Sequence, residues 1–341
     1  MKRRDFLLTT TSGIVALTAV GCNNSGSIPT SKLGKTDVTV TKFGFGSHYF
    51  QLSPDSKDQV EREKVIRAAY ESGVTTFDIY NSENNYFQYE PMSRYLAPIL
   101  NDVQISIAIR PEEGRTYEEE FFHTLKLFNR EYFDMVRLRA TTPERKGKEE
   151  WNFWERLFEL RDEGYIRAAG IAVHNVSDMD VVLDTFRDDM DYVFFPYNFY
   201  HNKWQTKATI QDFDTVEQSL HESGIGIVAM KPLTGDWLTP VLKESAKAIN
   251  PDIVYTQACL KWVQNSSMNP HTIVVGMNHL DHFEENLPAF HNSKMTDEET
   301  ALLQQLRDVA EKTSHRVLPN HYKFLNDWAP KRENSFEVRY S

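Results

Sequence analysis

Two cysteines, Cys22 and Cys259, are too few for a disulfide framework, a four-cysteine zinc site or any cysteine-ligated iron–sulfur cluster. Basic residues are also outnumbered: 38 Lys and Arg stand against 49 Asp and Glu, and a formal charge of −11 argues against a nucleic-acid binder, which would present a basic stripe. With 15 Gly and 14 Pro the chain is neither low-complexity nor collagen-like. The apolar stretch at its head, Leu8–Val20, carries Thr9, Thr10, Thr11, Ser12 and Gly13. It is shorter than the roughly 20 residues that a membrane-spanning helix needs. What is present in quantity is core material, 40% hydrophobic and 12% aromatic over 341 residues, ample for one large core.

The head of the chain reads as an address. Lys2-Arg3-Arg4-Asp5-Phe6-Leu7 is charged, Leu8–Val20 is mildly apolar, and Gly21-Cys22 closes it, which is the plan of a signal peptide over residues 1–21. Arg3-Arg4-x-Phe6-Leu7 resembles the twin-arginine export motif. Ala19-Val20-Gly21-Cys22 resembles a lipoprotein cleavage box, with Ala19 where leucine is usual. The expectation is export by the twin-arginine machinery and lipidation of Cys22, giving a periplasmic or membrane-anchored lipoprotein. Residues 22–32, rich in Ser, Asn and Gly, then form a flexible tether. Twin-arginine export moves proteins already folded, which favours a cofactor inserted beforehand.

After the tether the chain repeats one rhythm. Gly170-Ile171-Ala172-Val173 stops at His174-Asn175, Phe195-Pro196 at Tyr197-Asn198, and Gly226–Met230 at Lys231-Pro232-Leu233, each followed by a helix-like segment. Short apolar runs that end in polar residues before helices are what a parallel barrel produces, with the strand ends lining a common mouth. Earlier strands are expected at Lys42–Gly46, Thr75–Ile79, Val103–Ile109 and Phe133–Leu138, and an eighth at Thr272–Gly276. In the third of these, period-two alternation puts Arg110 on the face opposite Ile105, Ile107 and Ile109; Met135, Arg137 and Arg139 share one face of the next. Trp151, Trp154 and Phe158 at helical spacing belong to the core, Glu118-Glu119-Glu120 to a solvated helix start, and Thr296-x-x-Glu299 to a capping box. The fold expected is a single (β/α)8 barrel over residues 33–314, with a hairpin at Leu33–Thr41 and an irregular extension over 315–341.

Several of these pieces, in this order, resemble the aldo/keto reductase family. They are Leu33-Gly34-Lys35-Thr36 before Phe43-Gly44-Phe45-Gly46, Gly73–Asp78, Gly164-Tyr165-Ile166-Arg167, Pro196-Tyr197-Asn198, Met230–Leu233, and Val275-Gly276-Met277-Asn278 leading to Glu284–Leu287. The subgroup most alike often carries a C-terminal iron–sulfur domain, whose cysteines are missing here. The resemblance implies hydride transfer between NADP or NAD and a carbonyl or alcohol substrate, a sugar among the candidates. A tyrosine would give the proton, a lysine–aspartate pair would tune it and a histidine would orient the substrate.

Carried over residue by residue, Asp78 takes the aspartate's place and Arg110 and Arg139 stand where lysine and histidine would be. Tyr86, in Tyr86-Phe87-Gln88-Tyr89-Glu90, takes the tyrosine's place, with Tyr80 as rival and Glu83 at the usual spacing. Arg110 and Arg139 are also candidate ion-pair partners of Asp78, because an inward arginine is costly unless paired. On the cofactor side the resemblance assigns Tyr197 to the nicotinamide, Lys231, Pro232 and Leu233 to the diphosphate, and Gly276, Asn278 and Asn286 to the adenosine. His282 replaces the usual arginine there, so no cationic grip on a 2′-phosphate is visible. His174 and Asn175 are candidate substrate contacts, and no metal site is expected. Two other readings keep the mouth and change the chemistry: a cofactor-independent sugar lyase or hydrolase using Asp78, Glu83 and Tyr86, or a non-catalytic lipoprotein binding a carbohydrate or a partner.

Overall fold

The computed structural model describes residues 27–47, 56–81, 88–111, 114–139, 143–173, 176–200, 210–235 and 238–317. A hairpin of β1 (Thr30–Lys32) and β2 (Thr39–Thr41) leads into β3 (Phe43–Gly46), β4 (Thr76–Tyr80), β5 (Gln104–Ala108) and β6 (Phe133–Arg139). β7 (Ile166–Ala172), β8 (Tyr192–Pro196), β9 (Gly226–Met230) and β10 (Thr272–Gly276) follow. β3 to β10 are parallel neighbours in chain order, and β10 pairs with β3 to close an eight-stranded barrel. The expected (β/α)8 fold is the observed one.

Alternation along each strand divides the core in two. Outward residues such as Ile105, Ile107, Val136, Ile171 and Val193 pack under the helices. Inward residues Met135, Ala168, Tyr192, Phe194, Val228 and Val274 fill the barrel, joined from below by Leu33, Val38 and Val40 of the hairpin. The hairpin thus plugs the end where the strands begin. Its turn depends on Gly34 (φ +54°), whose α-carbon lies so close to Gly224 and Gly226 that a side chain would collide with backbone. Higher in the barrel the Tyr192 ring lies across Gly170, where a Cβ would overlap it. Arg167 ties the plug to the wall, reaching Asp37 at 3.1 Å and the buried Asp134 at 3.0 Å.

Several boundaries moved. The hairpin starts at Thr30 rather than Leu33, because Ser31 and Lys32 extend the pairing opposite Val40 and Thr39. The helix holding Trp154 and Phe158 runs over Pro143–Asp162, eight residues longer at its start than the apolar spacing from Trp151 suggests. Trp154 is buried against Phe186, as its spacing predicts. Glu120 is not solvated: it is fully buried and paired with Arg115 at 3.1 Å, while Glu119 closes a capping box on Thr116. The Thr296–Glu299 box forms as expected, and its helix, Asp297–Val317, continues past residue 314. Glu299 also binds Lys261 at 2.7 Å, clamping this helix to Tyr255–Asn265. Among the described residues no helix is long and apolar enough to cross a membrane.

Candidate active site at the barrel mouth

Strand register brings three polar side chains to the upper interior. Asp78 on β4 stands beside Ser106 on β5, and Arg137 on β6 stands between Ala108 and Gly170. Those two small neighbours leave room for the guanidinium to cross β5 and reach β4. There it binds Asp78 through two parallel bonds, Nη1 to Oδ1 at 2.5 Å and Nη2 to Oδ2 at 3.0 Å. The Ser106 hydroxyl donates to the same Oδ1 at 2.7 Å and accepts from Arg137 at 3.0 Å. Beneath lies Phe194, its ring centre 4.0 Å from the guanidinium carbon. Burial alone would pull the Arg137 pKa down, but the Asp78 charge, with smaller help from Tyr192 and Tyr80, holds it above its ordinary value. The described partner of Asp78 is therefore Arg137, an arginine the ion-pair expectation had not named. The face of β6 that carries it was visible in the sequence; its reach to Asp78 is set by cross-strand register, which was not.

A second arginine pair sits above the first. β5 leads directly to Arg110, whose Nη1 donates to the Tyr80 hydroxyl at 3.0 Å, and both side chains are half-buried. Arg110 is held from behind by its own amide, which donates to the Tyr89 hydroxyl at 3.2 Å; that hydroxyl in turn donates to the Ala108 carbonyl. Tyr89 is fully enclosed, and burial first of all pushes its pKa well above the usual phenol value, which keeps it a neutral brace. Asn81 accepts from the amides of Gln88 at 2.5 Å and Tyr89 at 3.2 Å, joining the two ends of the segment between them. Around this mouth the Ser47 hydroxyl, the Asn81 amide nitrogen and both polar atoms of Gln88 are buried without a hydrogen-bond partner. Orphan polar atoms of this kind are costly unless something else completes them. Tyr86 and Glu83 lie outside the described residues, as do His174 and Asn175; Arg139 ends β6, but its side chain is not described.

On the β8–β10 side the expected cofactor residues separate into two groups. Lys231 (φ 52°), Thr234 (φ 69°) and Gly235 (φ 87°) make a loop with two non-glycine residues in the left-handed region, which costs of order 1–3 kcal/mol each. Asn198 holds it by donating to the Lys231 carbonyl at 3.1 Å, and Thr239 does the same for Leu233. Past β10, Asn278 and Asn286 each bury a side-chain carbonyl oxygen with no partner. Unsatisfied acceptors are what an adenine amino group or a ribose hydroxyl would complete, so the adenosine end fits a nicotinamide dinucleotide. Gly276 is exposed beside them. Tyr197 differs from expectation: its ring is 4% exposed and packs 5.5 Å from Trp262 in the layer between barrel and helices. Outward alternation from the inward Phe194 accounts for this, and Met230 is the half-buried side chain that adjoins the barrel interior on that flank.

Comparison with known proteins agrees with this geometry. Residues 42–308 match the aldo/keto reductase family. Among solved structures, the chain is similar to the aldo-keto reductase AKR11C1 from Bacillus halodurans. The holo form gives a TM-score of 0.63 at 18% identity, covering 82% of this chain and 96% of that one. The apo form gives 0.60 at 19% identity over the same shares. No curated protein matches. The match over most of its length, on a closed barrel with this strand order, means that the chain belongs to the aldo/keto reductase family.

Proposed function

We propose that this chain is a nicotinamide-dependent oxidoreductase acting on a carbonyl or alcohol substrate, with sugars in its range. The observation that carries the reading is the contact of Arg110 with the Tyr80 hydroxyl at the mouth. A phenol beside a permanent cation can donate a proton to a substrate oxygen and leave its negative charge compensated. The bound nicotinamide would supply or accept the hydride. Arginine itself stays protonated, so its part is electrostatic, and Tyr80 does the proton transfer. Ser47 and Gln88, buried beside the mouth with unpartnered polar atoms, are the candidates to complete their hydrogen bonds with substrate hydroxyls. Asn278 and Asn286 would hold the adenosine, and the strained loop at Lys231–Thr234 the diphosphate, since a turn of this kind presents backbone N–H groups to an anion.

The twin-arginine and lipoprotein motifs at Arg3-Arg4 and Cys22 support an exported, lipid-anchored protein that carries its cofactor out already bound. Purified from its native compartment, the protein is expected to show a nicotinamide absorbance band. Tyr80→Phe should then remove turnover while leaving the band in place. A protein that binds neither NAD(H) nor NADP(H) would sink the reading. Asp78 speaks against the hydrolase alternative, because its carboxylate is committed to a bidentate pair with Arg137.

A further inference from the structure

We infer that the nucleotide this barrel selects is NAD(H) rather than NADP(H), and that the Glu61 carboxylate makes the choice. The inference rests on the nicotinamide reading above and runs against a family that generally uses NADP(H). Glu61 lies on the helix Ser56–Glu71, which packs against the short helix Leu280–Asn286 beyond β10. From there its Oε1 accepts the backbone N–H of Leu280 at 3.1 Å. A carboxylate therefore already occupies a backbone donor between Asn278 and Asn286, the two residues whose buried carbonyl oxygens have no partner.

The charges facing this corner decide what it can accept. Glu285 is spent on Lys243 at 2.7 Å and on the Thr256 hydroxyl at 2.7 Å. Lys64 lies 3.6 Å from Glu61 but is largely in solvent, and it offsets one charge. Asp281 and Glu284 remain as exposed carboxylates on the short helix itself. Among the described residues, the basic side chains on this short helix and at its cap are His279 and His282, exposed, with ring centres 5.3 Å apart. Imidazoles carry no permanent positive charge at neutral pH. A 2′-phosphate brings close to two negative charges and needs donors and cations. Among the described residues it would meet excess carboxylate here, and a backbone donor already taken. A ribose 2′-hydroxyl brings a proton to donate, for which a carboxylate is a good acceptor.

The test uses the full-length protein and reads binding, not turnover. Titration by fluorescence with NADH and NADPH should give an affinity for NADH at least about tenfold higher, a difference of about 1.4 kcal/mol. ADP and 2′,5′-ADP should repeat the preference without the nicotinamide. In Glu61→Gln the amide oxygen can still accept from Leu280 while the charge is gone, and the preference should shrink severalfold. A thermal melt shows that the variant is folded. NADPH binding as tightly as NADH in the unaltered protein would overturn the assignment to NAD(H). An undiminished preference in folded Glu61→Gln would overturn the role of Glu61. Binding of none of the four nucleotides would instead overturn the nicotinamide reading and this inference with it.

Discussion

Two arginines on neighbouring strands do opposite work. Arg137 is 3% exposed and spends its guanidinium inside the barrel on Asp78, Ser106 and the face of Phe194. Arg110, one strand over and nearer the mouth, is half-buried and rests on Tyr80. In the first pair a carboxylate satisfies the cation, which makes the pair a structural strut. In the second the described contact is with a phenol hydroxyl nearer the mouth, at 3.0 Å. The difference teaches that the residue type at a barrel strand end does not decide its role; its partner and its depth do.

Arg137→Ala should have the largest effect. It leaves Asp78 buried and unpaired, a loss of about 3–5 kcal/mol that would appear as a large fall in Tm. The double change Asp78→Asn with Arg137→Met should recover much of that loss, since it removes both charges together. If Arg137→Ala melts like the unaltered protein, the strut reading fails. Next comes Arg110→Met, which should leave Tm within about 1 kcal/mol of stability but lower kcat about 100-fold, by analogy with losing one charge-stabilising group. A fall in Tm larger than the fall in rate would make Arg110 a second strut. Gly170→Ala, forcing a methyl into the Tyr192 ring beside Arg137, should cost about 1–3 kcal/mol. Tyr192→Leu should relieve it, as a double-mutant cycle would reveal.

The smallest effect concerns a third cation, at the opposite end of the barrel. Lys42, just ahead of β3, donates to Asn269 and to the Pro270 carbonyl, and burial lowers its pKa from 10.5 to about 8. In the unfolded chain the amine keeps its proton up to its ordinary value, so between these limits the unfolded state binds more protons. Stability should therefore rise as pH climbs from about 8 towards 10.5. Lys42→Met should flatten that rise in denaturation curves taken across the interval.

How much of this was legible depended on range. Alternation in β5 placed Arg110 at the mouth, and the run ending at Pro232 announced the loop where Lys231 takes a positive φ. Those signals are local. That Arg137 meets Asp78 follows from pairings across three strands, and the Leu280 amide meeting Glu61 joins residues far apart in the chain. For Tyr197 the place at a strand end was legible but the direction of its ring was not. Phase along β8, counted from Tyr192 and Phe194 pointing inward, would have turned it outward.

The hairpin plug sets a direction for the whole molecule. Ile28 is buried in the core and the Pro29 carbonyl accepts the Lys42 amide, so the first described residues are fixed at the end opposite the mouth. Whatever is joined to that end is held a full barrel length from the rim where Tyr80 and Arg110 meet, so an attachment there leaves the mouth unobstructed.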